Sequence, residues 1–303
     1  MVTQRYAPLS GTGTGSGNNN TNTSTNTSTS TSNARAAVQI PLIGLGTWPL
    51  TGTECSKAVA SALEAGYRHV DTAENYRNED AVGRAVVGSG ISRDEVFVTS
   101  KFNREWHGPV DTVRTGLEAG LERAGLDYFD LYLVHWPNPG LDRYVQACES
   151  LAELTESGLI RSWGVSNFKP SHLQRVLEAG LVPSVNQIHC QPTDAQQDVQ
   201  EANTAAGVLT AAYTPIGRGS ELLDRPEITS IASRLGRTPA QVVLRWHVQQ
   251  GRIAVPKSAD PQRQRENLDV FSFELTADDL AAVDALDAGV PSETRQDADV
   301  FGH

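Results

Sequence analysis

From residue 38 onward, short apolar runs rich in β-branched residues alternate with longer stretches whose apolar positions recur every three or four residues. The first pattern suits a strand buried on both faces and the second an amphipathic helix, so their alternation predicts βαβ units and a parallel sheet. Eight strands are predicted: LIGLGT (42–47), HVDT (69–72), VFVTSK (96–101), FDLYLVHW (129–136), IRSWGVSN (160–167), SVNQIHC (184–190), LTAAYTP (209–215) and IAVPKS (253–258). Helical patterns such as SKAVASALEAG, VDTVRTGLEAGLERAG, YVQACESLAELTESG, SHLQRVLEAG and PAQVVLRWHVQQG lie between them, several closing on a glycine that favours a helix C-cap. Thr238 to Gln241 read as a capping box with proline at the first helical position, and Thr276 with Asp279 opens a further helix. Eight such units in about 265 residues fit an α/β fold of the (β/α)8 TIM-barrel type, whose usual size is about 250. An open doubly wound sheet would carry a glycine-rich dinucleotide turn after its first strand, and GLGTWPL at 44–50 has the wrong glycine spacing for one.

The N-terminal stretch breaks this rhythm. Residues 9–33 are almost wholly Ser, Gly, Thr and Asn, too polar to bury the surface that would offset their ordering entropy. The expected organisation is a disordered tail over 1–35 and a barrel over 36–303, the latter with a C-terminal segment at the substrate pocket. The glycines of GTGTGSG (11–17) fit neither a dinucleotide fingerprint nor a P-loop and read as flexible leader. The formal charge of -11 argues against a nucleic-acid binder, which needs a basic face. No run of about 18 apolar residues predicts a membrane span, and the N-terminus lacks the apolar core of a secretion signal. Cys55, Cys148 and Cys190 are odd in number and widely spaced, which suggests neither a disulfide framework nor a metal site. A monomer in the reducing cytoplasm is expected.

Active sites of such barrels lie where the strands exit, so the residues that end each run carry the functional reading. Asp71 ends the second strand, Lys101 the third and His135 the fourth, while Tyr76 sits in the loop after the second. A lysine beside a tyrosine hydroxyl favours the phenolate, and Asp71 would keep Lys101 protonated. Tyr76 would then serve as a proton donor, with His135 hydrogen-bonded to the oxygen that receives the proton. No Ser or Cys is placed as a nucleophile, so hydride from a cofactor fits better than covalent catalysis. Each residue also has a bland reading: a structural Asp71–Lys101 pair, a satisfied strand-end histidine, an ordinary loop aromatic.

GYRHVDTAENYRNE, VFVTSKFN, DLYLVHWP, RSWGVSNF, SVNQIHCQP, AAYTPIGRG and VPKSADPQRQRENLDVF resemble, in order and spacing, the motifs of the aldo-keto reductase superfamily, of the 2,5-diketo-D-gluconate reductase-like type. The resemblance covers about residues 38–290. It implies an NADPH-dependent carbonyl reductase with Asp71, Tyr76, Lys101 and His135 as catalytic tetrad. It also implies that Ser166, Asn167 and Gln187 hold the nicotinamide carboxamide and that Tyr213 stacks on the ring. Gly46 and Thr47 would lie near the nicotinamide half. Thr214, Pro215, Ile216, Gly217 and Arg218 would run along the pyrophosphate, with Leu222 and Leu223 behind them.

For the adenosine end, Lys257, Ser258 and Arg263 would form an anion site aided by the N-terminus of the helix that PQRQREN opens. A 2′-phosphate suits such a site, which favours NADPH over NADH, and the family pattern implies that Glu266 and Asn267 bond the adenine. Trp48, Trp106 and Trp136 are expected to wall the substrate pocket, whereas Trp163 and Trp246 fall inside strand and helix patterns and read as core. Two departures from the family pattern bear on the pocket: Ile188-His189-Cys190-Gln191-Pro192 after Gln187, and Phe102-Asn103 after Lys101. The hairpin that often plugs the barrel's bottom also reads as shortened, its place partly taken by the tail. The expected activity is reduction of small aldehydes, ketones or keto-sugars, an NADP-dependent alcohol dehydrogenase or carbonyl reductase. The rivals are a redox-sensing regulatory protein that binds NADP on the same fold, as in potassium-channel β-subunits, and a lyase using Lys101 as a Schiff base.

Overall fold

The computed structural model describes residues 4–9 and 38–303. All eight predicted strands form. In chain order they are β3 (Leu45–Gly46), β4 (His69–Asp71), β5 (Phe97–Phe102), β6 (Phe129–Val134), β7 (Ile160–Ser166), β8 (Val185–His189), β9 (Leu209–Tyr213) and β10 (Ile253–Ala254). Each is hydrogen-bonded to the next in parallel. The last meets the first through a parallel bridge of Ile43 with Ala254, where the amide of Gly44 donates to Ala254 O (2.9 Å) and that of Ala254 to Leu42 O (2.9 Å). The sheet therefore closes into a barrel, which leaves no open edge among these strands. Closure explains Gly46: a Cβ there would lie 2.7 Å from Val255 O.

The helices wrap the outside: α1 (Gly52–Ala65), α2 (Glu79–Gly88), α3 (Val110–Ala124), α4 (Tyr144–Leu154), α5 (Pro170–Glu178), α6 (Gln197–Ala205), α7 (Pro226–Leu235), α8 (Pro239–Gln249), α9 (Pro261–Leu268) and α10 (Ala277–Asp284). The capping boxes at Thr238 and Thr276 are present, each hydroxyl accepting from the third amide of its helix. The α2, α6 and α7 segments were not among the quoted helical stretches. In α6 only Val199 and Asn203 are buried, so its apolar period is too faint to read. Trp163 and Trp246 are core residues, as expected.

The bottom of the barrel corrects the boundary of the tail. Tyr6–Pro8 (β1) pairs antiparallel with Gln39–Pro41 (β2), Ala7 facing Ile40. Leu9 and Ile40 pack with Phe97, Leu131, Leu133, Val185, Ala211, Ile253 and Val255, so the hairpin stoppers the barrel interior. Residues 4–9 thus belong to the barrel, although three strand residues that end on proline give no periodicity to read. The rest of the expected tail, including GTGTGSG at 11–17, lies outside the described residues. Among the described residues no helix is long and apolar enough to cross a membrane.

Candidate active site

The three strand-exit residues and Tyr76 converge at one mouth. Asp71, the last residue of β4, is buried, and its Oδ1 accepts a hydrogen bond from Lys101 Nζ at 2.6 Å. Lys101, next to last in β5, is 1% exposed and also donates to Thr72 O at 2.9 Å. Burial pulls the lysine pKa down from its usual value and the facing Asp71 carboxylate opposes that pull. A buried ion pair of this kind persists only if its remaining valences are met. Gln187 meets one by donating from Nε2 to Asp71 Oδ2 at 2.6 Å. Thr47 braces the same strand end, its Oγ1 donating to Asp71 O at 2.9 Å.

Tyr76 closes a short 3-10 turn, Glu74–Tyr76, above this pair. Lys101 Nζ lies 5.1 Å from the centre of its ring, and His135 meets the ring edge-on with centroids 5.9 Å apart. The expected lowering of the tyrosine pKa is not what the protein alone produces. Burial first, and the Asp71 carboxylate second, push the phenol well above 10. Lys101 spends its charge on Asp71 and Thr72 rather than on the hydroxyl, so Tyr76 carries its proton at neutral pH and is a donor.

His135 follows β6 and is 6% exposed. Burial, then the charges of Lys101 and His303, hold its pKa well below 6.5, so the imidazole is neutral. Its Nδ1 is buried without a hydrogen-bond partner among the described residues. Asn167 donates from Nδ2 to His135 O (3.1 Å) and accepts from the Tyr213 hydroxyl (2.8 Å). Asn167 holds φ +63, a left-handed conformation that asparagine tolerates better than most residues.

The expected cofactor residues divide. Ser166, buried at the exit of β7, donates to Gln187 O at 2.8 Å, and Tyr213 stands edge-on to His189 at the exit of β9. Beyond Tyr213 the chain turns through Thr214 (φ +55), Gly217 (φ +80) and Arg218 (φ +45). A Cβ on Gly217 would meet Ser220 Oγ at 2.4 Å, which makes glycine obligatory there. Pro215 is fixed through its carbonyl by His247 (3.1 Å). Ile216 then reaches a cavity of 560 Å³ whose walls include Lys257, Ser258, Arg263, Glu266 and Asn267, the five residues expected at the adenosine end. Neither Lys257 nor Arg263 has an ion-pair partner among the described residues.

Several of the expected site residues also carry structural roles. Leu222 is buried in the core among α7 and α8 residues, and it is Leu223 that lines the cavity. Gln187 is engaged by Asp71, while Gly46 serves barrel closure and the buried Thr47 serves the strand brace. The N-terminus of α9 is already capped by Asp260, which takes the amides of Gln262 and Arg263. Trp106 donates its indole N–H to Glu74 (2.9 Å), and its ring lies so close to Gly116 of α3 that a Cβ there would sit 2.6 Å away. Glu74 also accepts from the Asn103 amide (3.1 Å), so Trp106 and Asn103 steady the turn that carries Tyr76. Trp136 is buried beside His135, and Trp48 is 41% exposed beneath the Arg218 guanidinium at 4.1 Å.

The C-terminal segment was expected at the pocket, but its fastenings were not legible. Ser292 N (2.8 Å) and Arg295 Nη1 (3.0 Å) reach the buried Asp194, and Lys169 and His172 hold Asp297 and Asp299. Phe301 packs edge-on to Trp136 at 4.8 Å, and His303 stands 5.7 Å from His135. His189, one of the departures after Gln187, hydrogen-bonds Thr294 at 3.1 Å, and burial pushes its pKa down to about 4. Of the odd residues after Gln187, His189 thus serves the C-terminal segment, while Cys190 and Gln191 bond within the turn at 193–195. Among the described residues no cluster of His, Cys, Asp or Glu is placed to hold a metal.

The closed eight-stranded barrel thus gathers a buried acid–lysine pair, a protonated tyrosine and a neutral histidine at its C-terminal mouth. Residues 42–288 match the model of the aldo/keto reductase family, and the chain belongs to that family. It is 45% identical over 251 residues to an aldo-keto reductase of Mycolicibacterium smegmatis, covering 82% of this chain and 90% of the relative. It is also 45% identical over 247 residues to 2,5-diketo-D-gluconic acid reductase B of a Corynebacterium species, covering 81% and 89%. A solved mutant of Gox0644 in complex with NADPH superposes with a TM-score of 0.80 at 39% identity, covering 88% of this chain and 95% of the other.

Proposed function

We propose that the chain reduces aldehydes, ketones or keto-sugars to alcohols with NADPH, acting as a monomer in the cytoplasm. The observation that carries this reading is the convergence of Tyr76 and the neutral His135 over the buried Asp71–Lys101 pair. The residues suit the dinucleotide. The 560 Å³ cavity with two unpaired cations is sized and charged for a phosphorylated adenosine, and the Gly217 turn leads from it towards Tyr213. Ser166, Asn167 and Tyr213 would hold the nicotinamide end and Lys257, Ser258 and Arg263 the adenosine end, with Glu266 and Asn267 against the base. Gln187 would join them by sharing its amide between Asp71 and the carboxamide.

When bound, NADPH supplies a hydride to the carbonyl carbon. The protein supplies the rest. His135 donates a hydrogen bond to the carbonyl oxygen and polarises it, and Tyr76 gives that oxygen its proton as the C–O bond becomes single. The Lys101 charge, kept beneath the tyrosine ring by Asp71, stabilises the phenolate left behind. Trp136, Phe301 and His303 shield the mouth from water, which strengthens each of these interactions.

The reading is tested by following NADPH absorbance with a panel of aldehydes, diketones and keto-sugars. Turnover on none of them, despite tight cofactor binding, would move the weight to a sensor. Arg263→Ala is expected to erase most of the preference for NADPH over NADH in binding titrations, since it removes a paired phosphate donor. Unchanged affinities for both would refute the anion-site assignment. The rate of reduction is expected to show no inflection near neutrality, because His135 gains a proton only well below pH 6.5 and Tyr76 loses one only above about 10; an alkaline fall before that value would report Lys101, whose pKa burial lowers. An inflection near neutrality would show that a different group donates the proton.

A further inference from the structure

The cavity expected to take a 2′-phosphate contains a carboxylate. Asp260 lines it together with Lys257, Ser258 and Arg263. It also caps α9, its Oδ1 accepting from the amides of Gln262 (2.8 Å) and Arg263 (3.0 Å). Ser258 is tied to the same residue, its Oγ donating to Asp260 O (3.3 Å) and accepting from Asp260 N (3.2 Å). The uncharged donors that a phosphate would seek at a helix N-terminus are therefore already committed, and the positive end of the helix dipole is answered by a fixed negative charge. The amide hydrogen bonds from Arg263 and Gln262, with the nearby charges of Arg263 and Arg265, hold the Asp260 pKa below its ordinary value, so the charge is complete at neutral pH.

Two opposed elements thus share one cavity. Lys257 and Arg263 attract a phosphate dianion, and Asp260 repels it. An acidic side chain at the ribose is instead a good acceptor for a free 2′-hydroxyl, the chemistry by which dinucleotide sites favour NADH. Resting on the reductase reading above, we propose that Asp260 is a specificity-determining residue of the cofactor site. It opposes the 2′-phosphate of NADPH and accepts a hydrogen bond from the 2′-hydroxyl of NADH, so that the chain uses both cofactors and prefers NADPH by less than Lys257 and Arg263 alone would impose.

The test is equilibrium binding of NADPH and NADH to the full chain without substrate, read by calorimetry. Asp260→Asn keeps a side chain that caps helices well and removes only the charge. It is expected to tighten NADPH about three- to tenfold, the effect of one screened like-charge repulsion, and to leave NADH unchanged or weaker. Asp260→Ser, a second uncharged cap, should act in the same direction and guards against an idiosyncratic fold defect. Asp111→Asn, which removes an exposed charge from the first turn of α3, should change neither affinity. An unaltered ratio of the two affinities in both Asp260 variants, or an equal change in Asp111→Asn, would overturn the proposal and leave the reductase reading intact. Failure of the native chain to bind either dinucleotide would overturn both.

Discussion

Tyr76→Phe is expected to lower kcat for carbonyl reduction by about 10²- to 10⁴-fold, the range general-acid catalysis contributes, while leaving the NADPH dissociation constant nearly unchanged. The size follows from the tyrosine's position. Burial and Asp71 keep its hydroxyl protonated, and that hydroxyl has no hydrogen-bond partner among the described residues, so it is available to a substrate oxygen. Phenylalanine preserves the ring that meets His135 edge-on and the Lys101 charge beneath it, and so removes the proton and little else. Single-turnover rates and cofactor titrations on the same protein separate the two effects. Near-normal turnover would mean that His135 delivers the proton, and the assigned roles would have to be exchanged.

Lys101→Met is expected to destabilise the fold by about 3–5 kcal/mol, the usual consequence of stranding one member of a buried ion pair. Asp71 would then keep only Gln187 as a side-chain partner in a site where it is itself 3% exposed. Adding Asp71→Asn should recover most of that loss, because no buried charge remains, yet activity should stay absent in both variants. Urea unfolding of the native chain, the single variant and the double variant forms the cycle that measures this. A Lys101→Met protein as stable as the native one would show that Asp71 takes up a proton or water at no cost. The pair would then have no structural role beside the catalytic one proposed for it.

Between sequence and structure, agreement was best where a local rule applied. The eight strands announced themselves as apolar β-branched runs, and the capping boxes at Thr238 and Thr276 needed only four consecutive residues each. The clustering of Asp71, Tyr76, Lys101 and His135 was legible because barrel topology sends every strand exit to one end. Agreement failed where a residue's partner is distant in the chain. Leu222 and Leu223 are neighbours in an apolar pair, and only the packing of α7 and α8 decides which one turns inward. Tyr6–Pro8 carries no strand pattern, and it becomes a strand because Gln39–Pro41 pairs with it over the barrel's open end. Trp106 was expected as a pocket wall, and only the fold shows that Glu74 holds its indole and that its ring packs on Gly116 of α3.

The sequence by itself determined the alternation of strand and helix, the order of the units, and the identity of the four polar side chains at the mouth. Each of these depends on spacing within a few residues or on the fixed hand and order of βα connections. The tertiary structure alone decided how those groups are charged and what surrounds them. Lys101 neutralises Asp71 rather than Tyr76, His135 is kept neutral by burial and by the charges of Lys101 and His303, and Asp260 stands inside the cavity that Lys257 and Arg263 make attractive to phosphate. Protonation depends on desolvation and on charges a few ångströms away, and contacts between residues far apart in the chain fix both.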